Sequence, residues 1–345
     1  MCTRSKEDTK ISFPGLTALA PELPLSATES WACKMKLFTV CAVAAALFLA
    51  ACNDPEDEVV WPDGASLWLA GVYADTALSW SPYGDVLFFS TYVSGATRLF
   101  GTSGLAEPEG RTFTGMDEFM GPLGAWNAEN GRIVYTAFNA DSMWSQIRSI
   151  PGNGINVTVH IQDSLLNAFP TYNPAGDSIL YCCTSTGNWR LYQIPFDHTP
   201  DDSTGFPVLQ EGFPDGDILR PSYSPETGTW ILFQYRACFT DDWDIMIAHP
   251  DGSDQRVLSQ NSANDIQPTW GPDDNWVAFS SDRTGNYEIY LTDVNSGTLI
   301  QLTDDPALDQ YPAWNPRKNW IAFSSDRASG NWNLDIFAID EPDLP

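Results

Sequence analysis

Pro268-Thr-Trp-Gly-Pro-Asp-Asp-Asn-Trp-Val-Ala-Phe-Ser-Ser-Asp-Arg283 returns 44 residues later as Pro312-Ala-Trp-Asn-Pro-Arg-Lys-Asn-Trp-Ile-Ala-Phe-Ser-Ser-Asp-Arg327. Self-similarity at a fixed period means that the fold is assembled from copies of one supersecondary unit. Looser copies run upstream: Trp80-Ser-Pro-Tyr-Gly-Asp-Val-Leu-Phe-Phe89, Trp126-Asn-Ala-Glu-Asn-Gly-Arg-Ile-Val-Tyr135, Tyr172-Asn-Pro-Ala-Gly-Asp-Ser-Ile-Leu-Tyr181 and Tyr223-Ser-Pro-Glu-Thr-Gly-Thr-Trp-Ile-Leu-Phe233. All share an order of aromatic, turn and apolar run. The marker aromatics Trp80, Trp126, Tyr172, Tyr223, Trp270 and Trp314 stand 44 to 51 residues apart. A period of roughly 40–50 residues is that of one four-stranded propeller blade per repeat. Six markers predict six blades.

The fifth copy shows what one repeat encodes. Ile266 to Trp270 reads as a strand, and Gly271-Pro272-Asp273-Asp274 as a turn in which proline pre-sets φ. Trp276 to Ser280 and Tyr287 to Leu291 are rich in the aromatic and β-branched residues that suit a pleated, half-buried surface. Asp293 to Gly297 makes the next turn and Thr298 to Leu302 the fourth strand. No repeat carries a sustained 3.6-residue apolar period, and 25 Gly with 25 Pro punctuate the chain too often for long helices. The expected class is all-β: a six-bladed β-propeller of four-stranded antiparallel blades over residues 66–340. The last repeat reaches only its third strand, Asp335 to Asp340, before the tail 341–345. Leu67-Trp-Leu-Ala70 precedes Asp75 and Trp80 much as Leu299 to Leu302 precedes Asp309 and Trp314, so this N-terminal strand is expected to complete the last blade and close the ring.

Upstream of the repeats, Met35-Lys36 opens an apolar run from Leu37 to Ala51 interrupted by Thr39. It is shorter than the roughly 20 residues a membrane-spanning helix needs, and suits the core of a secretory signal over residues 35–51. Leu49-Ala50-Ala51-Cys52 resembles the bacterial lipobox, which implies a lipidated Cys52 as mature N-terminus and a membrane held through that anchor. Residues 1–34 have no place ahead of such a signal and are expected to be a non-native or disordered extension. Residues 52–65 begin with the acidic run Asn53-Asp-Pro-Glu-Asp-Glu58 and are expected to be an extended tether. The expected location is the periplasmic side of the outer membrane, with surface exposure left open.

The chain holds 45 Asp plus Glu against 17 Lys plus Arg, a formal net charge of −28, and beyond Cys52 its only lysine is Lys318. This balance repels phosphate backbones and excludes nucleic acid as a partner. An envelope protein or peptide, in particular a basic one, is the expected partner of a monomer. Cys182, Cys183 and Cys238 lie in the repeats, and an exported compartment permits a Cys183–Cys238 bridge that the sequence leaves open.

The motif Pro-x-Trp-x-Pro-Asp with Ala-Phe-Ser-Ser-Asp-Arg, a Tyr-Glu-Ile-Tyr strand and a Gln-Leu-Thr ending resembles the TolB-type β-propeller repeat. Residues 268–303 and 312–340 match it closely, and residues 66–260 in outline, with Ala128-Glu129 in place of the Pro-Asp turn. The resemblance implies a fold used for periplasmic interaction modules, for gating domains of serine peptidases and for scaffolds of some polysaccharide lyases. Two features depart from TolB itself: the lipobox, and the short stretch between Cys52 and Leu67, which leaves no room for its N-terminal α/β domain.

Chemistry is sparse. Gly101-Thr-Ser-Gly104 and Gly176-Asp-Ser178 lack the spacing of a Gly-x-Ser-x-Gly nucleophile elbow. His160, His198 and His249 fall in different blades and read as isolated, so no enzyme is expected. Asp75, Asp265 and Asp309 each lie five residues before a marker Trp, at the mouth of the predicted innermost strand. Three such carboxylates around a funnel could hold Ca²⁺ or meet a basic peptide, while the alternative has each cap its own turn. Asp282-Arg283 and Asp326-Arg327 read as ion pairs within a blade. The expected role is a non-catalytic protein-binding or envelope assembly scaffold without a required cofactor. The alternative is a carbohydrate-binding or sensory propeller, with sugar stacked on exposed Trp and Tyr, or, less favoured, a propeller-based polysaccharide lyase.

Overall fold

The order of turn and β-former in each repeat becomes an antiparallel meander. A computed structural model describes residues 65–69, 75–93, 96–102, 119–120, 125–127, 131–138, 144–152, 156–198, 200, 205–209, 215–328 and 335–340. The extension 1–34, the signal 35–51 with Cys52, and the tail 341–345 lie outside them. So does the tether, except that Ala65, expected within it, opens the strand β1 (Ala65–Leu69).

The first sheet contains β2 (Asp75–Trp80), β3 (Leu87–Val93) and β4 (Ala96–Thr102). The second contains β5 (Phe119–Met120), β6 (Trp126–Asn127), β7 (Arg132–Phe138), β8 (Ser145–Pro151) and β9 (Thr158–Ile161). Both β5 and β6 pair with β7, so they are two pieces of one broken inner strand. The third runs through β10 (Asn167–Tyr172), β11 (Ser178–Cys183), β12 (Arg190–Pro195) and β13 (Phe206–Val208). The fourth comprises β14 (Gly216–Tyr223), β15 (Ile231–Ala237), β16 (Asp244–Ala248) and β17 (Arg256–Ser259). The fifth comprises β18 (Asp265–Trp270), β19 (Trp276–Ser281), β20 (Glu288–Asp293) and β21 (Leu299–Gln301). The last joins β22 (Asp309–Trp314), β23 (Trp320–Ser325) and β24 (Asp335–Asp340), with β1 antiparallel to β24.

The protein is thus an all-β propeller of four-stranded antiparallel blades. Five sheets have four strand positions, where the sequence predicts six; the first has three among the described residues. Residues 103–118, between β4 and β5, lie outside them.

Each marker aromatic ties its sheet to the preceding one. Trp126 lies 4.9 Å from Phe88 of the first sheet, and the Tyr223 hydroxyl donates to Gln193 Oε1 of the third. Trp270 Nε1 donates to the Ser222 carbonyl of the fourth, and Trp314 packs on Trp276, Ala278 and Leu291 of the fifth. Trp80 Nε1, in the first sheet, donates to the Ala313 carbonyl of the last at 3.0 Å. Tyr135, Tyr181, Phe233, Phe279 and Phe323, in the second strands of five sheets, are fully buried. Each such side chain stabilises the fold by about 1.5–3 kcal/mol relative to exposure.

The turn after Trp80 packs against the last sheet. Gly84, at φ 68°, belongs to the first sheet, and its carbonyl accepts from Asn315 Nδ2 of the last at 3.0 Å. A methyl at Gly84 would collide with the Asn315 side chain.

Candidate functional site

The innermost strands share one irregularity. Their pairing to the second strand slips between Thr76 and Ser79, Ala168 and Thr171, Leu219 and Ser222, Ile266 and Thr269, and Gln310 and Ala313. In four of them the skipped dipeptide is a left-handed residue followed by proline: Phe169-Pro170, Arg220-Pro221, Gln267-Pro268 and Tyr311-Pro312. The four φ values are 54°, 53°, 58° and 57°. Proline has no N–H to give to a ladder, and a bulge re-aims the side chain before it. A bulky residue at positive φ is costly unless its surroundings hold it, and such strain collects at functional positions.

These dipeptides converge on a cavity of about 160 Å³ lined by Leu78, Phe169, Arg220, Gln267 and Tyr311 from five sheets and by Ala125, just ahead of β6. The Gln267 amide stitches three sheets around it. Its backbone N–H donates to Gln234 Oε1 at 3.0 Å, and its own Oε1 accepts from Ser280 Oγ and from the Tyr311 N–H, both at 2.8 Å. The Arg220 guanidinium sits 5.3 Å from the Phe169 ring centroid and 5.3 Å from that of Tyr311. Burial lowers its pKa from the ordinary arginine value, yet an arginine stays charged in a protein. The neighbouring Cys182 thiol is pushed well up by burial, which removes it as a nucleophile. Among the described residues, no Asp, Glu, His or Trp lines the cavity.

The sequence-predicted carboxylates lie elsewhere. Asp265 and Asp309 are fully buried at the starts of β18 and β22. Asp265 accepts from Arg283 Nη2 at 2.9 Å, Ser259 Oγ at 2.5 Å and Asn261 Nδ2 at 2.7 Å. Asp309 is ion-paired with Arg327. An arginine therefore stands against each carboxylate where a cation would. Asp75 begins β2, and its side chain lies outside the description. Asp282 and Asp326 do not pair with the arginines that follow them; they accept from the N–H groups of Asn264 and Leu308. The sequence order Asp-Arg thus hides a crossed arrangement, in which the arginine reaches back to the preceding inner strand.

His160 and His198, expected to be isolated, line one surface pocket together with Arg132 and Phe196. His160 Nε2 is 2.7 Å from Ser149 Oγ, and burial, then the charges of Arg132 and His198, lower its pKa to about 4. Ser149 also accepts from Arg132 Nε, so its hydroxyl is held by a cation rather than activated by an acid-backed base. His249 stacks on Trp230 at 4.0 Å. Cys183 is a buried free thiol, so the Cys183–Cys238 bridge does not form. Among the described residues, no group of three or more His, Cys, Asp or Glu is placed to hold a metal ion.

Residues 215–340 match the TolB beta propeller domain. This segment belongs to the TolB-type propeller family. A relative, the Tol-Pal system protein TolB of Roseobacter denitrificans, is 26% identical over 180 residues, 52% of this chain and 36% of that protein. The chain therefore spans about a third of the length of that curated relative. The TolB-type fold is also that of the crystal structure of TolB from Acinetobacter baumannii, with TM-score 0.60 and 14% identity over 72% of this chain and 59% of that one. An oligogalacturonate lyase solved in complex with manganese matches at TM-score 0.55 and 15% identity, over 79% of this chain and 78% of that one. At such identities these structures share the fold alone.

Sequence reasoning missed the axial cavity, although the signal was present. A residue other than glycine, then proline, two places before the marker aromatic recurs as Phe169-Pro, Arg220-Pro, Gln267-Pro and Tyr311-Pro. Proline inside a strand signals a bulge.

Proposed function

We propose that this protein is a lipid-anchored envelope protein of bacteria whose TolB-type propeller is a non-catalytic binding scaffold. The observation that carries the reading is the axial cavity, to which four sheets contribute through the same skipped residue–proline dipeptide and the first through Leu78 of its own slip. A chamber built from all repeats at once suits recognition, because its shape is held by the whole fold. The cavity offers an arginine, a glutamine and aromatic rings, with no base or activated nucleophile beside them. The likeness to Tol-Pal system proteins supports an envelope setting with protein partners, and the signal-like run ending at Cys52 supports export and anchoring.

In the same reading, the three-stranded first sheet is the sixth blade, and the ring is sealed where β1 lies on β24. The Trp80–Ala313 and Asn315–Gly84 hydrogen bonds support this seam. The reading invokes no calcium, and the Arg283 and Arg327 guanidinium groups against Asp265 and Asp309 support that choice. Cys52→Ser should move the protein from the membrane to the soluble fraction in cell fractionation. Retention of Cys52→Ser on membranes refutes the anchor. Crosslinking in intact envelopes, followed by comparison of the wild type with variants of the cavity residues, tests the scaffold: a partner lost only from cavity variants supports it, and the absence of any cavity-dependent partner opposes it.

A further inference from the structure

Arg220 is out of step with the electrostatics of the rest of the protein. The chain carries 45 acidic side chains for 17 basic ones, so a guanidinium has abundant carboxylates to choose from. Arg190, Arg236, Arg256, Arg283 and Arg327 each hold an aspartate. Among the described residues Arg220 makes no ion pair and no side-chain hydrogen bond; its contacts are the two rings. It stands in a cavity whose described lining contains no acidic residue. Ser222, two residues on in the same strand and in the same lining, has a buried Oγ with no hydrogen-bond partner. Buried polar groups are ordinarily paired, and a half-buried guanidinium in so acidic a chain would ordinarily hold a carboxylate.

We propose that the axial cavity is a receptor for a single carboxylate, held by Arg220 and Ser222. The geometry selects the ligand class. The Phe169 and Tyr311 rings stand at equal distance from the guanidinium carbon. Rings that cover guanidinium faces leave its in-plane N–H edge for a ligand, and that edge matches a planar carboxylate bidentately. The Ser222 hydroxyl supplies one further donor. One fixed cation suits a monoanion, and the tetrahedral dianion of phosphate would find too little positive charge. The absence of Asp and Glu from the described lining keeps the local repulsion low, although the protein as a whole is strongly anionic. The inference rests on the reading of this chamber as a binding site and specifies its ligand.

The test is calorimetric or NMR titration of the intact propeller protein with benzoate, with neutral benzamide as isostere and inorganic phosphate as competing anion. Benzoate should bind saturably and roughly tenfold or more tighter than benzamide, as the loss of a charge-assisted pair requires. Arg220→Gln should lose that preference, and Ser222→Ala should weaken benzoate severalfold while leaving the melting temperature near that of the parent. Should Arg220→Gln fail to fold, Ser222→Ala and the benzoate–benzamide ratio decide the matter. Equal binding of benzoate and benzamide, tighter binding of phosphate, or unchanged benzoate affinity in both variants overturns the proposal. A dipeptide with a free C-terminus, compared with its amide, distinguishes the source: preference for the free acid assigns the site to chain termini, and benzoate binding with no such preference to free organic acids. Carboxylate binding without any cavity-dependent envelope partner would fault the scaffold reading alone; a cavity-dependent partner without carboxylate binding would fault this proposal alone.

Discussion

Replacing Arg283 with methionine should reveal how much of the fifth blade depends on one charge. Asp265 is fully inaccessible, and Arg283 is 19% exposed, so the carboxylate is the partner that cannot escape to water. Arg283 also lies 4.5 Å from the Tyr290 centroid and 5.5 Å from that of Phe279. Methionine keeps most of that apolar contact and removes the charge, leaving Asp265 with the Ser259 and Asn261 donors alone. Breaking a buried pair by deleting one partner costs about 3–5 kcal/mol. In a propeller of this size that is a fall in melting temperature on the order of 10 °C. Asp265→Asn should cost less, because the arginine left behind can lean into solvent. The double variant Asp265→Asn/Arg283→Met should be more stable than Arg283→Met alone, since no buried charge remains. Guanidinium denaturation at pH 7 measures all three. A loss below about 1 kcal/mol for Arg283→Met, or strictly additive effects around the cycle, would refute the assignment of Arg283 as the neutralising partner.

Stability should also fall as pH rises from acid to neutral. Burial, then Asp242 and Asp265, push the Asp244 carboxyl up to about 6, and burial also raises Glu288 and Asp309. A carboxyl that titrates higher in the folded state contributes its stability fully below its unfolded value near 4 and loses it as pH rises through the folded value. Asp244→Asn should flatten the melting temperature profile between about pH 4 and 6; an unchanged slope counts against the burial of that group. Gly84→Ala tests the packing between the first and last sheets. Gly84 and Gly131 have φ values of 68° and 62°, but a methyl meets Asn315 only at the former and nothing within 4 Å at the latter. Gly131→Ala should cost about 1–2 kcal/mol from backbone alone and Gly84→Ala clearly more; equal losses would mean that the Asn315 contact carries no energy.

The repeat determined by itself that the chain is an all-β propeller, because a marker aromatic every 44 to 51 residues, followed by a turn and an apolar run, leaves each copy with a face only a neighbour can cover. The strand positions of the fifth repeat followed from local chemistry: Pro272 starts a turn, and Trp276 to Ser281 reads and folds as the buried second strand. The partners of charged groups did not follow. Asp282 stands beside Arg283 in sequence, yet the ion pair spans from Arg283 to Asp265, because β18 and β19 are antiparallel and bring Ser281 opposite Asp265. His160 and His198 come together only because adjacent sheets pack face to face. The axial cavity is likewise a tertiary product: Phe169, Arg220, Gln267 and Tyr311 are separated by 44 to 51 residues and meet because a bulge turns each toward a shared axis. Periodicity along a chain specifies which face of each unit is buried; it does not specify which side chains the closing of units around one another will bring within reach.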